Sequence, residues 1–181
     1  MKKILFLLLC SQLTLVCYGQ RFSYSEVEQV SAGGITYILD KTPISYFFDN
    51  IENTKYDIPY VNLDGTLAAG TWEDYDAGTL DETTLDKVIR EVFTPQELAD
   101  FKATNTRMSL FFIFDSNGKI IEASFRFNAK APVIMLPVER IAQLEIRMKA
   151  EVTTHITDPA TKNLQFVAGS YGYNFKYMDE K

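Results

Sequence analysis

The stretch from Met108 to Asn128 constrains the fold more strongly than any other part of the chain. Its apolar residues alternate on both sides of Asn117-Gly118, a pair that favours a two-residue hairpin turn because both positions of that turn need a positive φ. With Ser116 opposite Lys119, one side of the ribbon is apolar throughout, and a one-residue slip would destroy that match. That side carries Met108, Leu110, Phe112 and Phe114 on the first strand and Ile121, Ala123, Phe125 and Phe127 on the second.

Apolar residues at helical spacing predict that helices flank this ribbon. The clearest helix start is Thr94-Pro95-Gln96-Glu97, a capping box with proline at the first helical position. A second capping box is expected over Thr79–Glu82, and Glu145 with Lys149 forms an i,i+4 pair that contributes about 0.2–0.5 kcal/mol. The apolar stripes are Leu85, Val88, Ile89 and Val92 in one helix and Val138, Ile141, Leu144, Met148 and Val152 in another that opens at Pro137.

Further strand signals lie near both ends of the mature chain. Ile35–Leu39 and Ile44–Phe48 predict strands joined by a turn over Asp40–Pro43, whereas residues 49–79 predict irregular structure. Near the C-terminus the alternation changes phase at Gly169-Ser170, which predicts either a bulge within one strand or the turn of a hairpin. The two phases are carried by Leu164, Phe166 and Ala168 and by Tyr171, Tyr173, Phe175 and Tyr177.

These elements predict a single α+β domain over residues 20–181, in which an antiparallel sheet has helices packed on one face. Residues 20–80 form a strand- and loop-rich N-terminal part, and residues 81–181 form a helix–hairpin–helix–strand core. A domain of about 160 residues buries roughly 70% of its unfolded surface, so the core is expected to be sufficient without disulfides.

The first nineteen positions have the order of a cleaved secretory signal. Lys2-Lys3 form a positive start, Ile4–Val16 is a short apolar run, and Cys17-Tyr18-Gly19 places small residues at the −3 and −1 positions. The run is too short to span a hydrocarbon core of about 30 Å. We therefore expect cleavage near Gly19-Gln20, a periplasmic or secreted domain, and no stable membrane insertion afterwards.

Both cysteines, Cys10 and Cys17, lie inside this signal, so the mature domain would have no disulfide and no thiol nucleophile. A lipoprotein is disfavoured because bulky leucine or valine precedes each cysteine. The single histidine, His155, has neighbours that match no nucleophile or oxyanion motif, and one histidine without cysteine does not supply the ligands of a zinc site. We expect no catalytic residue, no metal and no cofactor.

The charge of the chain disfavours two classes of partner. The net charge is −6, and cleavage of the signal would remove two lysines and no acid. Binding to nucleic acid or to an anionic membrane surface depends on clustered lysine and arginine, so neither partner is expected.

An acidic and aromatic loop, formed by Trp72, Glu73, Asp74, Tyr75 and Asp76, is an alternative site. Paired carboxylates beside aromatic rings suit carbohydrate binding or glycoside hydrolysis, centred on residues 72–86. The same carboxylates are the hard oxygen ligands that calcium prefers, although the ligand spacing of an EF-hand loop is absent. A solvated loop followed by acids that complement a helix dipole is the plainer interpretation.

The order of elements after Phe93 resembles the TonB C-terminal domain family. The resemblance is carried by Phe93–Ala99, by Phe112–Ile121 with its acidic-Gly-Lys turn, and by Pro137–Val152, within roughly residues 93–177. Phe93-Thr94-Pro95 replaces the Tyr-Pro of that family, and we expect neither a proline-rich spacer nor a full membrane anchor before the domain. The resemblance therefore implies a β-β-α-β segment and protein contact by strand addition, but not energy transduction.

Signal, composition and size are also similar to those of the uncharacterised small exported proteins of Bacteroidetes-type bacteria. The leading expectation is a non-enzymatic binding or structural module of the cell envelope, which contacts another envelope protein through a sheet edge or a loop. The alternative is a carbohydrate-binding or glycoside-hydrolysing domain that uses the acidic and aromatic loop. The residues expected to contact the partner are Val133, Ile134, Met135, Leu136, Tyr171 and Tyr173.

Overall fold

A computed structural model describes residues 26–42, 44–71, 74–128 and 137–178. The expected signal, the 133–136 segment, Trp72 and Glu73 lie outside these residues. The strands are β1 Glu26–Ala32, β2 Ile35–Thr42, β3 Ser45–Asn50, β4 Thr79–Leu80, β5 Arg107–Asp115, β6 Ile120–Asn128, β7 Thr154–His155 and β8 Phe166–Asn174. The helices are α1 Glu82–Val92, α2 Pro95–Ala103, α3 Val138–Glu151 and α4 Pro159–Lys162, with 3-10 turns at Lys55–Asp57 and Phe175–Tyr177. The main sheet has the strand order β1-β2-β3-β6-β5-β8, with every neighbouring pair antiparallel, and β4 pairs with β7 in a small separate sheet.

The β5-β6 hairpin has the predicted register along most of its length, from Arg107 opposite Asn128 to Ile113 opposite Glu122. The register then shifts, so that Phe114 pairs with Ile120, and Ile120 rather than Ile121 is buried in the core.

The predicted two-residue turn of this hairpin is wrong. The connection is a three-residue loop in which the Asp115 carbonyl accepts a hydrogen bond from Gly118 N at 2.8 Å. Gly118 has a φ of 79°, whereas Asn117 stays outside the left-handed region. The Asp115 carboxylate accepts hydrogen bonds from the backbone of Asn117 and Lys119, and these bonds favour the longer loop.

The helices cover one face of the sheet, as predicted, and we call this the helix face. The capping box at Thr94 is confirmed: the hydroxyl accepts from Glu97 N at 3.2 Å, and Thr94 N donates to the Glu97 carboxylate at 2.6 Å. The box expected over Thr79–Glu82 is wrong, because Asp81 caps α1 and Thr79 belongs to β4. Both predicted helical stripes are confirmed as buried, except that Val138 is only partly buried.

Residues 51–71 and 74–78 cover part of the opposite face of the sheet, which we call the loop face. This cover explains why the apolar alternation changes phase within β8. The bulge or hairpin turn predicted at Gly169-Ser170 is therefore wrong. Strand β8 pairs continuously with β5, from Asp115 opposite Phe166 to Arg107 opposite Asn174. Phe166 is buried on the loop face against Tyr60, whereas Tyr173 is buried on the helix face. The buried apolar residues therefore change from the loop face to the helix face along β8, and the strand itself is not interrupted.

The first hairpin also differs from its prediction. Strand β2 runs to Thr42, which pairs with Ser45, so Asp40 and Lys41 belong to the strand rather than to the turn. The α+β class and the antiparallel sheet are confirmed. Among the described residues, no helix combines the length and the apolar character needed to cross a bilayer.

Candidate functional site

A cleft with a volume of about 770 Å³ opens on the loop face, between residues 55–71 and 74–77 on one side and strands β5 and β8 on the other. Its walls are largely aromatic: the Tyr60 ring meets the Tyr75 ring edge-on at 5.6 Å between centroids, and Phe111 contributes from β5. A mostly apolar concavity with a few polar groups is the usual form of a ligand site. The lining residues are Lys55, Tyr56, Ile58, Pro59, Tyr60, Gly70, Thr71, Tyr75, Ala77, Phe111, Ala168, Gly169 and Ser170.

Glu122 holds the outer wall of the cleft in place. Its side chain is on β6 and only 5% of the residue is exposed. The carboxylate accepts hydrogen bonds from Thr54 N at 3.1 Å and Lys55 N at 3.0 Å, and it lies 3.4 Å from Lys55 Nζ. These are the free amides at the start of the 3-10 turn, so the carboxylate satisfies donors that the turn leaves without a partner.

Asn53 adds a second attachment of this wall to the sheet. Its amide nitrogen donates to the Ala123 carbonyl at 3.0 Å and to Ser124 Oγ at 3.1 Å, and Ser124 donates to Asp49 at 2.6 Å. Burial of the neighbouring Tyr56 phenol, together with the nearby Glu122 and Asp49 carboxylates, raises the pKa of Tyr56 above its usual value.

Strand β8 is at one edge of the described sheet and forms the inner rim of the cleft. Ala168 N donates to the Tyr60 hydroxyl at 3.1 Å, so this amide points away from β5. Because alternate residues of an antiparallel edge strand share one direction, the amides of Ser170 and Gly172 also point outward. Both residues are exposed, and a Cβ added to Gly172 would meet no atom within 4 Å. The backbone edge is therefore accessible beside the cleft.

The aromatic residues predicted to contact a partner lie on the helix face of β8. Tyr173 is 2% exposed and donates a hydrogen bond to Asp86, and Tyr171 is partly buried against the core. Burial and the Asp86 carboxylate raise the pKa of Tyr173. What β8 presents at its edge is therefore backbone, whereas these two rings anchor the strand to the helices. Tyr177 lies beyond the strand, in the terminal 3-10 turn, and is exposed.

The residues of the acidic and aromatic loop have different environments. Tyr75 lines the cleft, but the Asp74 carboxylate accepts from Thr71 N at 2.6 Å and the Asp76 carboxylate accepts from Gly78 N at 2.9 Å. Both carboxylates thus close turns and are not among the groups that line the cleft. Within the described ranges, no three histidine, cysteine, aspartate or glutamate side chains come together as a metal site would require.

The remaining predicted residues lie elsewhere. Asp81 caps α1, where the Thr84 hydroxyl and amide lower the pKa of its carboxylate. Asp86 forms an ion pair with Arg90 at 2.6 Å. His155 is exposed in β7, opposite Thr79, and does not line the cleft.

Sequence reasoning missed most of the cleft, including Lys55, Tyr56, Tyr60 and Phe111. Residues 51–78 have no strand or helix periodicity, so nothing local showed that they pack on the sheet. One available signal was Phe111, an aromatic residue on the face of the hairpin predicted to be mixed. A second signal was that Phe166 and Ala168 lie on that same face of the sheet, so other residues had to pack over them.

A DUF5043 family protein from Bacteroides uniformis, known from a crystal structure, has a similar fold. The TM-score is 0.60, the identity is 18%, and the similarity covers 83% of this chain and 86% of that chain. No protein-family model matches the sequence, and no curated protein matches it significantly. The similarity to the Bacteroides protein extends to the fold, and its source agrees with the expected likeness to small proteins of Bacteroidetes-type bacteria.

Proposed function

We propose that this chain is an exported, non-enzymatic binding module of the bacterial cell envelope, which takes an extended segment of a partner protein as an added strand on β8. The observation that carries the proposal is the position of the outward amides of Ser170 and Gly172 beside an aromatic cleft. In strand addition, backbone hydrogen bonds supply affinity and pockets for alternate side chains supply specificity.

The shape of this edge suits such a partner. Segment 60–68 lies beside the start of β8. Gln165 N, just before the strand, donates to the Val61 carbonyl at 2.8 Å, and Ala168 N donates to the Tyr60 hydroxyl at 3.1 Å. The edge beyond Gly169 has no strand against it in the described part of the chain. An added strand would begin where segment 60–68 ends, and its first inward side chain would enter the cleft.

Two features of the sequence support an envelope role. The first is the expected export signal over residues 1–19. The second is the resemblance of the α2-β5-β6-α3-β8 order to the TonB C-terminal domain family, which implies contact by strand addition. Residues 133–136 precede α3 and stay a predicted second contact.

Carbohydrate binding is the competing function, because Tyr56, Tyr60 and Tyr75 offer rings on which a sugar could stack. The Asp74 and Asp76 carboxylates accept hydrogen bonds from the backbone of their own turns, so these two residues do not supply a pair of carboxylates to the cleft. The cleft therefore favours binding over hydrolysis. It favours a peptide over a sugar because the accessible edge of β8 presents backbone hydrogen-bonding groups.

A variant pair at one position tests the proposal. The chain from Gln20 onward is panned against phage-displayed random ten-residue peptides and, in parallel, screened on a glycan array. Gly172→Pro removes one outward amide without removing a β5-β8 hydrogen bond, and Gly172→Ala retains that amide. We expect selected peptides to bind Gly172→Pro about tenfold more weakly, the equivalent of roughly one lost hydrogen bond, and Gly172→Ala within about twofold.

Circular dichroism and thermal unfolding of both variants confirm that the fold is retained. Glycan binding without any peptide selection would overturn the proposal, and so would peptides that bind wild type and Gly172→Pro equally.

A further inference from the structure

A second concavity lies on the loop face, at the other end of the same strand pair. Its volume is about 440 Å³, and its lining is half polar and half apolar. Arg107 on β5 is directly opposite Asn128 on β6 and Asn174 on β8, and all three residues line this concavity. The Asn174 side-chain oxygen already accepts a hydrogen bond from Lys176 N at 3.1 Å, which leaves its NH₂ group as the available donor.

The charge at this end of the loop face differs from that of the chain as a whole. The chain carries 24 acidic and 18 basic side chains, and several of its cations are paired with carboxylates, as Arg147 is with Glu151 at 2.6 Å. Arg107 has no carboxylate within ion-pair distance in the described part of the chain. Arg126, diagonal to it on β6, lies over the Phe47 ring at 5.2 Å from the centroid and likewise has no ion-pair partner there. An anionic group is therefore complementary to this surface.

Carboxylate is the ligand chemistry that this concavity fits. A guanidinium presents its donors in a planar fork that matches the two oxygens of a carboxylate, and the Asn174 amide can donate to the same group. Arg107 and Phe111 both face the loop side of β5 and are four residues apart, a distance of about 14 Å along a strand. Between them, β8 presents only the small residues Ser170 and Gly172, over which side chains of an added strand can reach.

We infer that the partner strand carries an aspartate or glutamate bound by Arg107, four positions from the apolar residue that occupies the aromatic cleft. This inference rests on the proposed function, because it assigns the side chains of the strand added to β8. Two residues four apart on a strand point to the same side, so both contacts form in one extended conformation.

The test uses peptides selected by phage display against the chain from Gln20 onward, synthesised with a fluorescent label. Fluorescence polarisation compares wild type, Arg107→Gln and Lys87→Gln. Lys87 is an exposed residue of α1 on the opposite side of the sheet, so its substitution removes the same charge away from the site. We expect the selected peptides to share an apolar residue and an acidic residue four positions apart.

A double-substitution cycle isolates the proposed contact. Replacing the peptide acid by its amide is expected to weaken binding to wild type and to Lys87→Gln about tenfold, and to leave binding to Arg107→Gln nearly unchanged. Selected peptides that bind Gly172→Pro more weakly but lack the acidic residue would overturn this inference. Peptides that bind Arg107→Gln as tightly as wild type would also overturn it. Both results would remain compatible with strand addition on β8. Failure to select any peptide would overturn both. Because Arg107 is exposed, its variant should fold, and its thermal unfolding checks this.

Discussion

The Tyr37 hydroxyl on β2 donates a hydrogen bond of 2.8 Å to the Glu145 carboxylate on α3, and neither residue is exposed to solvent. The same carboxylate accepts from the Asn50 amide at 2.7 Å and from Lys149 Nζ at 2.6 Å. The Glu145–Lys149 pair was predicted as a weak helix pair. It is instead the outer end of a buried network that joins α3 to the sheet.

Glu145→Ala is expected to destabilise the domain by about 3–5 kcal/mol, because the Tyr37 hydroxyl and the Asn50 amide would remain buried without an acceptor. Tyr37→Phe should cost about 1–3 kcal/mol, since the carboxylate keeps its other two donors. Urea unfolding measures both. A loss below about 1 kcal/mol for Glu145→Ala would show that the network contributes little.

Stability is expected to fall in alkaline solution. Burial, followed by the Glu145 carboxylate, raises the pKa of Tyr37. The folded state therefore holds this proton more tightly than the unfolded chain, in which tyrosine ionises near pH 10. The stabilisation is complete below about pH 10 and is lost as the pH rises toward the folded-state pKa.

Tyr37→Phe should accordingly have a shallower dependence of unfolding free energy on pH between about 9 and 11.5. Tyr177→Phe is the matched control, because Tyr177 is exposed. Equal slopes for wild type and Tyr37→Phe would contradict the prediction.

Glu122→Ala should loosen the wall of the cleft, because Thr54 N and Lys55 N lose their acceptor. We expect a destabilisation of about 1–3 kcal/mol, faster hydrogen exchange at these two amides, and weaker binding of selected peptides. Glu52→Ala removes an exposed carboxylate from the same segment and should change none of the three. Unchanged exchange in Glu122→Ala would mean that other contacts hold the wall.

Gly118→Ala should be more damaging than Gly34→Ala, although the two glycines have similar φ values of 79° and 81°. At Gly34 an added Cβ meets no atom within 4 Å, so only backbone strain of about 1–2 kcal/mol is expected. At Gly118 the Cβ would lie 1.9 Å from the Thr154 carbonyl oxygen.

Residue 118 would have to move away from Thr154, which also breaks the 2.8 Å hydrogen bond from Thr154 N to the Gly118 carbonyl. We expect an additional loss of at least about 2 kcal/mol in thermal or urea unfolding. Equal losses of unfolding free energy for the two variants would indicate that the β5-β6 loop accommodates the added Cβ at no extra cost.

The predictions that succeeded depend on residues close together in the chain or on strict alternation. The Thr94 cap needs only the next three residues, and the β5-β6 register follows from matching two apolar stripes. The hairpin loop failed because the Asp115 side chain competes for the turn amides, an effect that the Asn-Gly pair alone does not reveal. The change of phase in β8 was visible, but its cause was a distant segment without periodicity.

Local pattern was thus enough to establish an antiparallel sheet with helices on one face, because period and capping are properties of neighbouring residues. The functional surface needed the assembled fold. Tyr60, Phe111 and Ser170 are far apart in the chain and meet only after residues 51–71 and 74–78 fold over the sheet. Glu145 likewise has the spacing of a surface pair, and its burial depends on the position of Tyr37, 108 residues away. Contacts of that separation are specified by packing, which no short window of sequence contains.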